Sequence, residues 1–196
     1  MDNRVDQLFS DLISESKKFS DSLPPIHQWT PNLSGDIAIR IDREGKWFHE
    51  AVEIKRADIV VLFSKLLKLE GAEYFLVTPT EKWRIQVDIA PLFVVSASLT
   101  QRQGQQAILL KTLTGESILL GQENPLEIRN DLAKEEQYPI VLVRDNLTAL
   151  ISRSTYYQLV DWGFSRKCKD GKNEWLLKSM GCEFSLGFYA DSLDFT

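Results

Sequence analysis

Apolar and polar residues alternate along this chain with periods that change from stretch to stretch, and those periods predict its elements. Tyr74-Phe75-Leu76-Val77 is apolar on both faces, as in a strand buried within a sheet. After Thr78-Pro79-Thr80, Trp83, Ile85 and Val87 alternate with Arg84, Gln86 and Asp88, giving a return strand with one core face. Pro79 presets a turn corner and the threonine hydroxyls can satisfy exposed backbone, so the stretch reads as a β-hairpin. Upstream, Ile37, Ile39 and Ile41 alternate with Asp36, Ala38 and Arg40; Asp42–Gly45 makes a turn, and Trp47 opens the returning strand. Between these hairpins, Val60, Phe63 and Leu67 form a helical stripe. They predict a helix over Ile59–Leu69 with Asp58 as N-cap and Gly71 as its stop. At the start, Val5, Leu8, Phe9, Leu12 and Ile13 predict an amphipathic helix over residues 4–19, ended by Pro24-Pro25. It is expected to pack back on the body, with a partner or lid role as the alternative.

The second half opens at Pro91 with a meander: Leu92–Leu99, Ala107–Leu113, Ser117–Leu120 and a fourth strand over Leu126–Arg129. Asn130–Gln137 is polar and charged and is expected to be a mobile connector. Ile140–Val143 and Ala149–Ile151 then read as two strands. Ser154 or Thr155 is expected to cap a helix through Tyr156, Leu159, Val160 and Trp162, and Trp175–Leu177 with Glu183–Phe188 make a closing hairpin around Met180-Gly181. The order strand, strand, helix, hairpin occurs in both halves, which suggests duplication. The expectation is a two-domain α+β protein, residues 1–90 and 91–196, each an antiparallel sheet with one main helix.

Composition narrows the classes. At 196 residues, 43% hydrophobic and 26% charged, the chain has the make-up of a globular protein rather than a disordered one. A formal net charge of −5 argues against a nucleic-acid partner, since no basic excess exists to release counterions. No apolar run reaches the roughly 20 residues of a membrane span, and the polar start does not read as a secretory signal. Cys168 and Cys182 are the only cysteines. Two reduced thiols in a cytoplasmic protein is the simplest reading, with a single bridge left open.

The usual carriers of chemistry are missing. The glycines form no phosphate-cradling motif, and no cofactor is implied. His27 and His49 are the only histidines; His49 and Glu50 point to opposite faces of a strand and cannot share an ion, so no metal site is expected. No nucleophile has a base at a recognisable spacing, and Cys168 sits in a Lys-rich loop, which reads as a loop thiol. An enzyme is therefore the disfavoured class. What remains is Arg40, Arg56, Glu81, Lys82, Arg84 and Arg144 at strand ends and turns, with Trp29, Trp47 and Trp83 nearby. Guanidinium groups grip phosphate and tryptophan can stack on a base, so the inventory suits a nucleotide-sized ligand. Equally, Trp47 and Trp83 could be core anchors and the charges surface pairs.

Several strings carry a resemblance: Trp29-x-Pro31, Gly35-Asp36-Ile37-x-Ile39-Arg40-Ile41, Gly45-x-Trp47-Phe48-x-Glu50, Arg56, Leu62-Phe63-Ser64 and Leu76-Val77-Thr78-Pro79-x-Glu81-Lys82. Together they resemble an uncharacterised bacterial family known as a domain of unknown function, over residues 29 to 190 and most densely over 29–91. The resemblance implies a duplicated core, a pleckstrin-homology-like C-terminal domain and a nucleotide-based ligand bound between the domains in signal transduction. On that reading Arg40, Lys82 and Arg144 supply positive charge, with Arg56 and Glu50 from the matched strings. Trp47 is an aromatic wall, and Thr78 and Glu81 orient hydrogen bonds. The chain departs from the family pattern at Ala51 and Glu53, where Gly and Pro are usual, and at Ile89. The alternative is a protein-interaction module that takes a protein partner on its sheet and uses the N-terminal helix as adaptor.

Overall fold

A computed structural model describes residues 23–131, 135–168 and 171–189. The helix expected over residues 4–19 lies outside the described residues. The chain divides into two compact units at Leu92–Phe93, both rich in strand and poor in helix.

In the first unit the strands are β1 (Leu33–Ile41), β2 (Trp47–His49), β3 (Val52–Glu53), β4 (Leu67–Glu70), β5 (Glu73–Val77) and β6 (Lys82–Val87). One helix, α1 (Ala57–Lys65), lies between β3 and β4. The strands form one sheet in the order β3-β2-β1-β6-β5-β4. All neighbours are antiparallel except β1 and β6, which run parallel, so the sheet is mixed rather than antiparallel throughout. Ile39, Ile41, Trp47, Leu67, Leu76 and Ile85 are buried in this unit's core with Ile59 and Phe63 of α1. β5 is apolar on both sides as expected, with Phe75, Leu76 and Val77 all buried.

The helix is shorter than its stripe predicts. It stops at Lys65, and Leu67–Glu70 turns into β4, folding back on β5 through the Gly71 turn. Leu67 and Leu69 alternate with Lys68 and Glu70, so the same four residues fit a period of two. Pairing Leu67 with Leu76 and Leu69 with Tyr74 satisfies a ladder that one more helical turn could not. The N-cap also moves: Arg56 holds that position, and Asp58 lies within the first turn.

Glu50 and Ala51 form the two-residue turn joining β2 to β3, with φ of 47° and 65°. Positive φ at both central positions marks a type I′ turn, which glycine occupies without steric penalty and alanine does not. Ala51→Gly is therefore expected to raise stability by about 0.5–1 kcal/mol, the left-handed penalty offset in part by the entropy of the unfolded glycine. A higher denaturation midpoint at unchanged slope would show it; a lower midpoint would contradict it.

The second unit contains β7 (Leu92–Arg102), β8 (Gln105–Thr112), β9 (Ser117–Leu119), β10 (Leu126–Asp131), β11 (Glu136–Arg144) and β12 (Leu147–Ile151), in the sheet order β10-β11-β12-β7-β8-β9. Helix α2 (Arg153–Asp161) follows. Next comes a three-stranded sheet of β13 (Phe164–Lys167), β14 (Asn173–Ser179) and β15 (Cys182–Tyr189). The meander and the hairpin around Met180-Gly181 form where the periodicity puts them. The connector expected over 130–137 does not: Asn130 pairs with Gln137 and Asp131 with Glu136, extending a β10–β11 hairpin. The α2 cap is Ser152, whose hydroxyl accepts from the Thr155 amide at 3.2 Å, rather than Ser154 or Thr155.

In both units strands, one helix and three further strands follow one another, with an additional β3 before the helix in the first, but the pairing differs. In the first unit the closing hairpin joins the opening one in one sheet, whereas in the second β14 and β15 sit in a separate sheet. Side chains fasten the small sheet to β8. Ser179, fully buried, donates to the Leu120 carbonyl at 2.6 Å and accepts from the Ile108 amide at 2.9 Å. Gln106 donates to the Lys178 carbonyl at 2.9 Å. Ser179→Ala leaves a buried amide and a buried carbonyl without this partner, and is expected to cost about 1–3 kcal/mol in a chemical-denaturation titration.

Candidate functional site

Several charged residues of the first unit share the sheet face opposite its core, because strand partners share a face. Lys68, Phe75, Arg84 and Asp36 form one row across β4, β5, β6 and β1. Lys82 lies two residues before Arg84 on β6, and Glu70 and Glu73 stand at the β4–β5 turn. Arg40, opposite Gln86, continues the same face toward Asp88.

Ion pairs knit this face together. Lys82 Nζ donates to Glu70 at 2.8 Å, and Lys68 Nζ lies 3.1 Å from the other Glu70 oxygen. Arg84 pairs with Asp36 and with Glu73, both at 2.9 Å. Arg40 makes a two-point contact with Asp88 through Nε and one terminal nitrogen. Under the lattice lies Phe75, with Lys82 Nζ 5.0 Å and the Arg84 guanidinium carbon 6.0 Å from its ring centre, in cation–π range. The Glu70 carboxyl is held below the ordinary carboxylate range by the hydrogen bond from Lys82 and then by that from Lys68.

Exposure is unequal within these pairs. The side chains of Lys82 and Lys68 are 18% and 20% exposed, whereas Glu70, Glu73 and Asp36 are 38%, 53% and 73% exposed. Packed aliphatic stems hold the ammonium groups in place while the carboxylates reach in from solvent.

The remaining sequence candidates fall elsewhere. Trp47 is 2% exposed on the core face, opposite Ile41 and 6.0 Å from the Phe63 ring, so it offers no wall to a ligand. Thr78 is buried at the β5–β6 turn; its hydroxyl accepts from the Glu81 amide at 3.0 Å and so shapes the loop. Glu81 accepts from the Trp83 indole at 3.3 Å, and Trp83 lies against Gly35, where a Cβ would sit 3.4 Å from its ring. Glu50 belongs to the strained turn. Arg56 pairs with Asp58 at 2.6 Å on an open surface. Arg144 belongs to the second unit, where it lies 3.5 Å from Glu116. Lys68, Glu70, Glu73 and Phe75 were not among the sequence candidates. Their alternation with Leu67, Leu69, Tyr74 and Leu76 would have placed them on this face once 67–70 was read as a strand.

Other chemistry is sparse. Among the described residues no three His, Cys, Asp or Glu side chains are grouped to hold a metal, and no helix is long and apolar enough to cross a membrane. The two cysteines are free. Cys182 lies opposite Ser179 and Cys168 follows Lys167, which lies opposite Asn173, so they sit at opposite ends of β14. At about 3.3 Å per residue that is roughly 20 Å, beyond the span of a disulfide.

Two family models match the chain: "Domain of unknown function (DUF1285), N-terminal domain" over residues 24–90, and "Protein of unknown function (DUF1285), C-terminal domain" over residues 91–186. The chain belongs to the DUF1285 family. Its fold resembles the crystal structure of a DUF1285 family protein from Silicibacter pomeroyi DSS-3, at 37% identity and a TM-score of 0.76, covering 89% of this chain and 93% of that one. A DUF1285 family protein from Shewanella baltica OS155 is also similar, at 23% identity and a TM-score of 0.49, over 64% of this chain and 91% of that one. No curated protein matches.

Proposed function

We propose that this DUF1285 protein is a non-enzymatic, cytoplasmic, sensor-like protein that binds a nucleotide-based ligand in signal transduction. The ligand's phosphates would lie on the charged face of the first unit. The carrying observation is the unequal exposure of the ion pairs around Phe75. Lys68, Lys82 and Arg84 are converging cations, and their present partners are the more exposed members of each pair. The Arg84 pairs with Asp36 and Glu73 are exposed, and such pairs contribute only about 0–1 kcal/mol each, so a phosphate group can take over this guanidinium at small cost. Charge-assisted bonds to phosphate then repay the exchange, with Arg84 able to bind in bidentate fashion. The same proposal reads the two units as related α+β domains, which the recurring order of strands, one helix and three strands supports, and the second unit as pleckstrin-homology-like.

Thermal shift against nucleoside mono-, di- and triphosphates, dinucleotides and cyclic nucleotides tests this. A ligand present at a hundred times its dissociation constant stabilises by about 2.7 kcal/mol. Lys82→Ala and Arg84→Ala are each expected to weaken binding roughly 10- to 100-fold, the worth of a charged hydrogen bond of about 1.5–3 kcal/mol. Glu70→Gln, which removes the competing carboxylate, is expected to tighten it. A flat panel at millimolar concentration, or unchanged affinity in the folded Lys82→Ala protein, would overturn the assignment.

A second reading, a protein-interaction module, is favoured by the aromatic residues left exposed on the small sheet of the second unit: Phe164, Phe188 and Tyr189.

A further inference from the structure

We propose that the group recognised on the charged face of the first unit is a diphosphate, two phosphates joined through one oxygen, rather than a single phosphate. The inference rests on the phosphate-binding reading given above and narrows it to one chemical class. The protein's own carboxylates mark where anions sit. Glu70 bridges two ammonium groups, one at each oxygen: Lys82 Nζ at 2.8 Å and Lys68 Nζ at 3.1 Å. That is one anion position. A second lies beside Arg84, which holds Asp36 on a terminal nitrogen and Glu73 on Nε, each at 2.9 Å.

The two positions are close neighbours. Lys82 and Arg84 are two residues apart on β6, so their side chains leave the same face of the strand roughly 6–7 Å apart. Phe75 lies opposite Arg84 on β5, and both cationic heads stand over its ring, Lys82 Nζ at 5.0 Å and the Arg84 guanidinium carbon at 6.0 Å from the centre. A monophosphate fills one position and leaves the other occupied by carboxylates, whose like charge opposes it at this distance. Its charge of about −1.5 to −2 also answers only two of the three cations Lys68, Lys82 and Arg84. A diphosphate takes both positions. Once its first phosphate is seated between the ammonium groups, the second reaches Arg84 as part of the same molecule, at high effective concentration. There the planar guanidinium can grip it through two N–H groups.

The test is isothermal titration calorimetry with inorganic pyrophosphate and orthophosphate, and with ADP and AMP, at matched ionic strength. Pyrophosphate is expected to bind at least about tenfold more tightly than orthophosphate, and ADP than AMP, the worth of one further charged hydrogen bond. Arg84→Gln is expected to bring pyrophosphate down to the affinity of orthophosphate, whereas Lys82→Gln weakens both. The comparison of ligands on the unaltered protein decides the matter if a variant fails to fold. Equal affinities for the two inorganic ions, with binding lost in Lys82→Gln, would overturn the diphosphate assignment and leave the phosphate-binding reading standing. A pyrophosphate preference that survives in folded Arg84→Gln would overturn it as well. Binding of pyrophosphate but of neither nucleotide would uphold the assignment and remove the nucleotide from the reading. No binding of any of the four would overturn both.

Discussion

Trp47→Ala is expected to destabilise the first unit by about 3–5 kcal/mol, a large share of the roughly 5–15 kcal/mol that holds a typical domain together. The side chain is 2% exposed and packs against Phe63 at 6.0 Å between ring centres, with the rings tilted by 48°. It returns from the Asp42–Gly45 turn opposite Ile41, so it joins β2 to β1 and both to α1. Truncation opens a cavity between sheet and helix that neither a three-residue strand nor a nine-residue helix can readily collapse to fill. Trp47→Phe should cost less, on the order of 1–2 kcal/mol, because most of the apolar volume remains. Equilibrium urea denaturation measures both. A loss below about 1 kcal/mol for the alanine variant, with a fall in ligand affinity, would mean that Trp47 belongs to a binding surface after all.

Gly163→Ala is the second large effect, expected at about 2–4 kcal/mol. Gly163 follows α2, and its amide donates to the Val160 carbonyl at 2.9 Å. That same carbonyl accepts the Trp175 indole N–H at 2.8 Å, which draws the ring tightly against the glycine. A Cβ here would stand 2.3 Å from Trp175 Nε1, 2.8 Å from its Cδ1 and 2.9 Å from the Leu176 carbonyl oxygen. The alanine is opposed by space, not by backbone conformation. To make room the indole must leave Val160, adding the loss of a half-buried hydrogen bond to the overpacking strain of about 1–3 kcal/mol. The cause can be isolated in a double-mutant cycle. With Trp175→Ala already present, Gly163→Ala should cost much less, giving a coupling of at least about 1 kcal/mol. Additive effects would show that the clash is not with the indole.

Strand alternation was the most legible feature of this sequence. Ile37, Ile39 and Ile41 face the core where their period of two puts them, and the turns at Asp42–Gly45 and Met180-Gly181 form where their residues require. Stretches that satisfy two periods at once were not legible. Leu67 is a helical partner of Phe63 and a strand partner of Leu76, and only the presence of β5 beside it decides between them. The ends of the connector expected over 130–137 were misread because Asn130, Asp131, Glu136 and Gln137 are polar strand residues that carry no apolar alternation.

The site divides in the same way. Residue types pointed to Lys82, Arg84 and Arg40, since lysine and arginine near turns can be read directly. Which carboxylate each one meets could not be read, because Lys82–Glu70 and Arg40–Asp88 are set by strand order and register. Trp47 had the same standing in the sequence as any surface tryptophan, and the pairing of β2 with β1 turned it inward.

By itself, then, the sequence determined most of the strands (though not Val52–Glu53, Leu67–Glu70 or Phe164–Lys167), where most turns fall, which family the residue strings resemble, and which side chains carry charge. The tertiary structure alone decided the parallel join of β1 to β6, the separate sheet of β13 to β15, and the partners of every cation discussed. The reason is physical. Periodicity and turn chemistry act between residues a few positions apart, whereas strand order and ion pairing arise between residues as distant in sequence as Arg40 and Asp88, brought together only by the packed sheet.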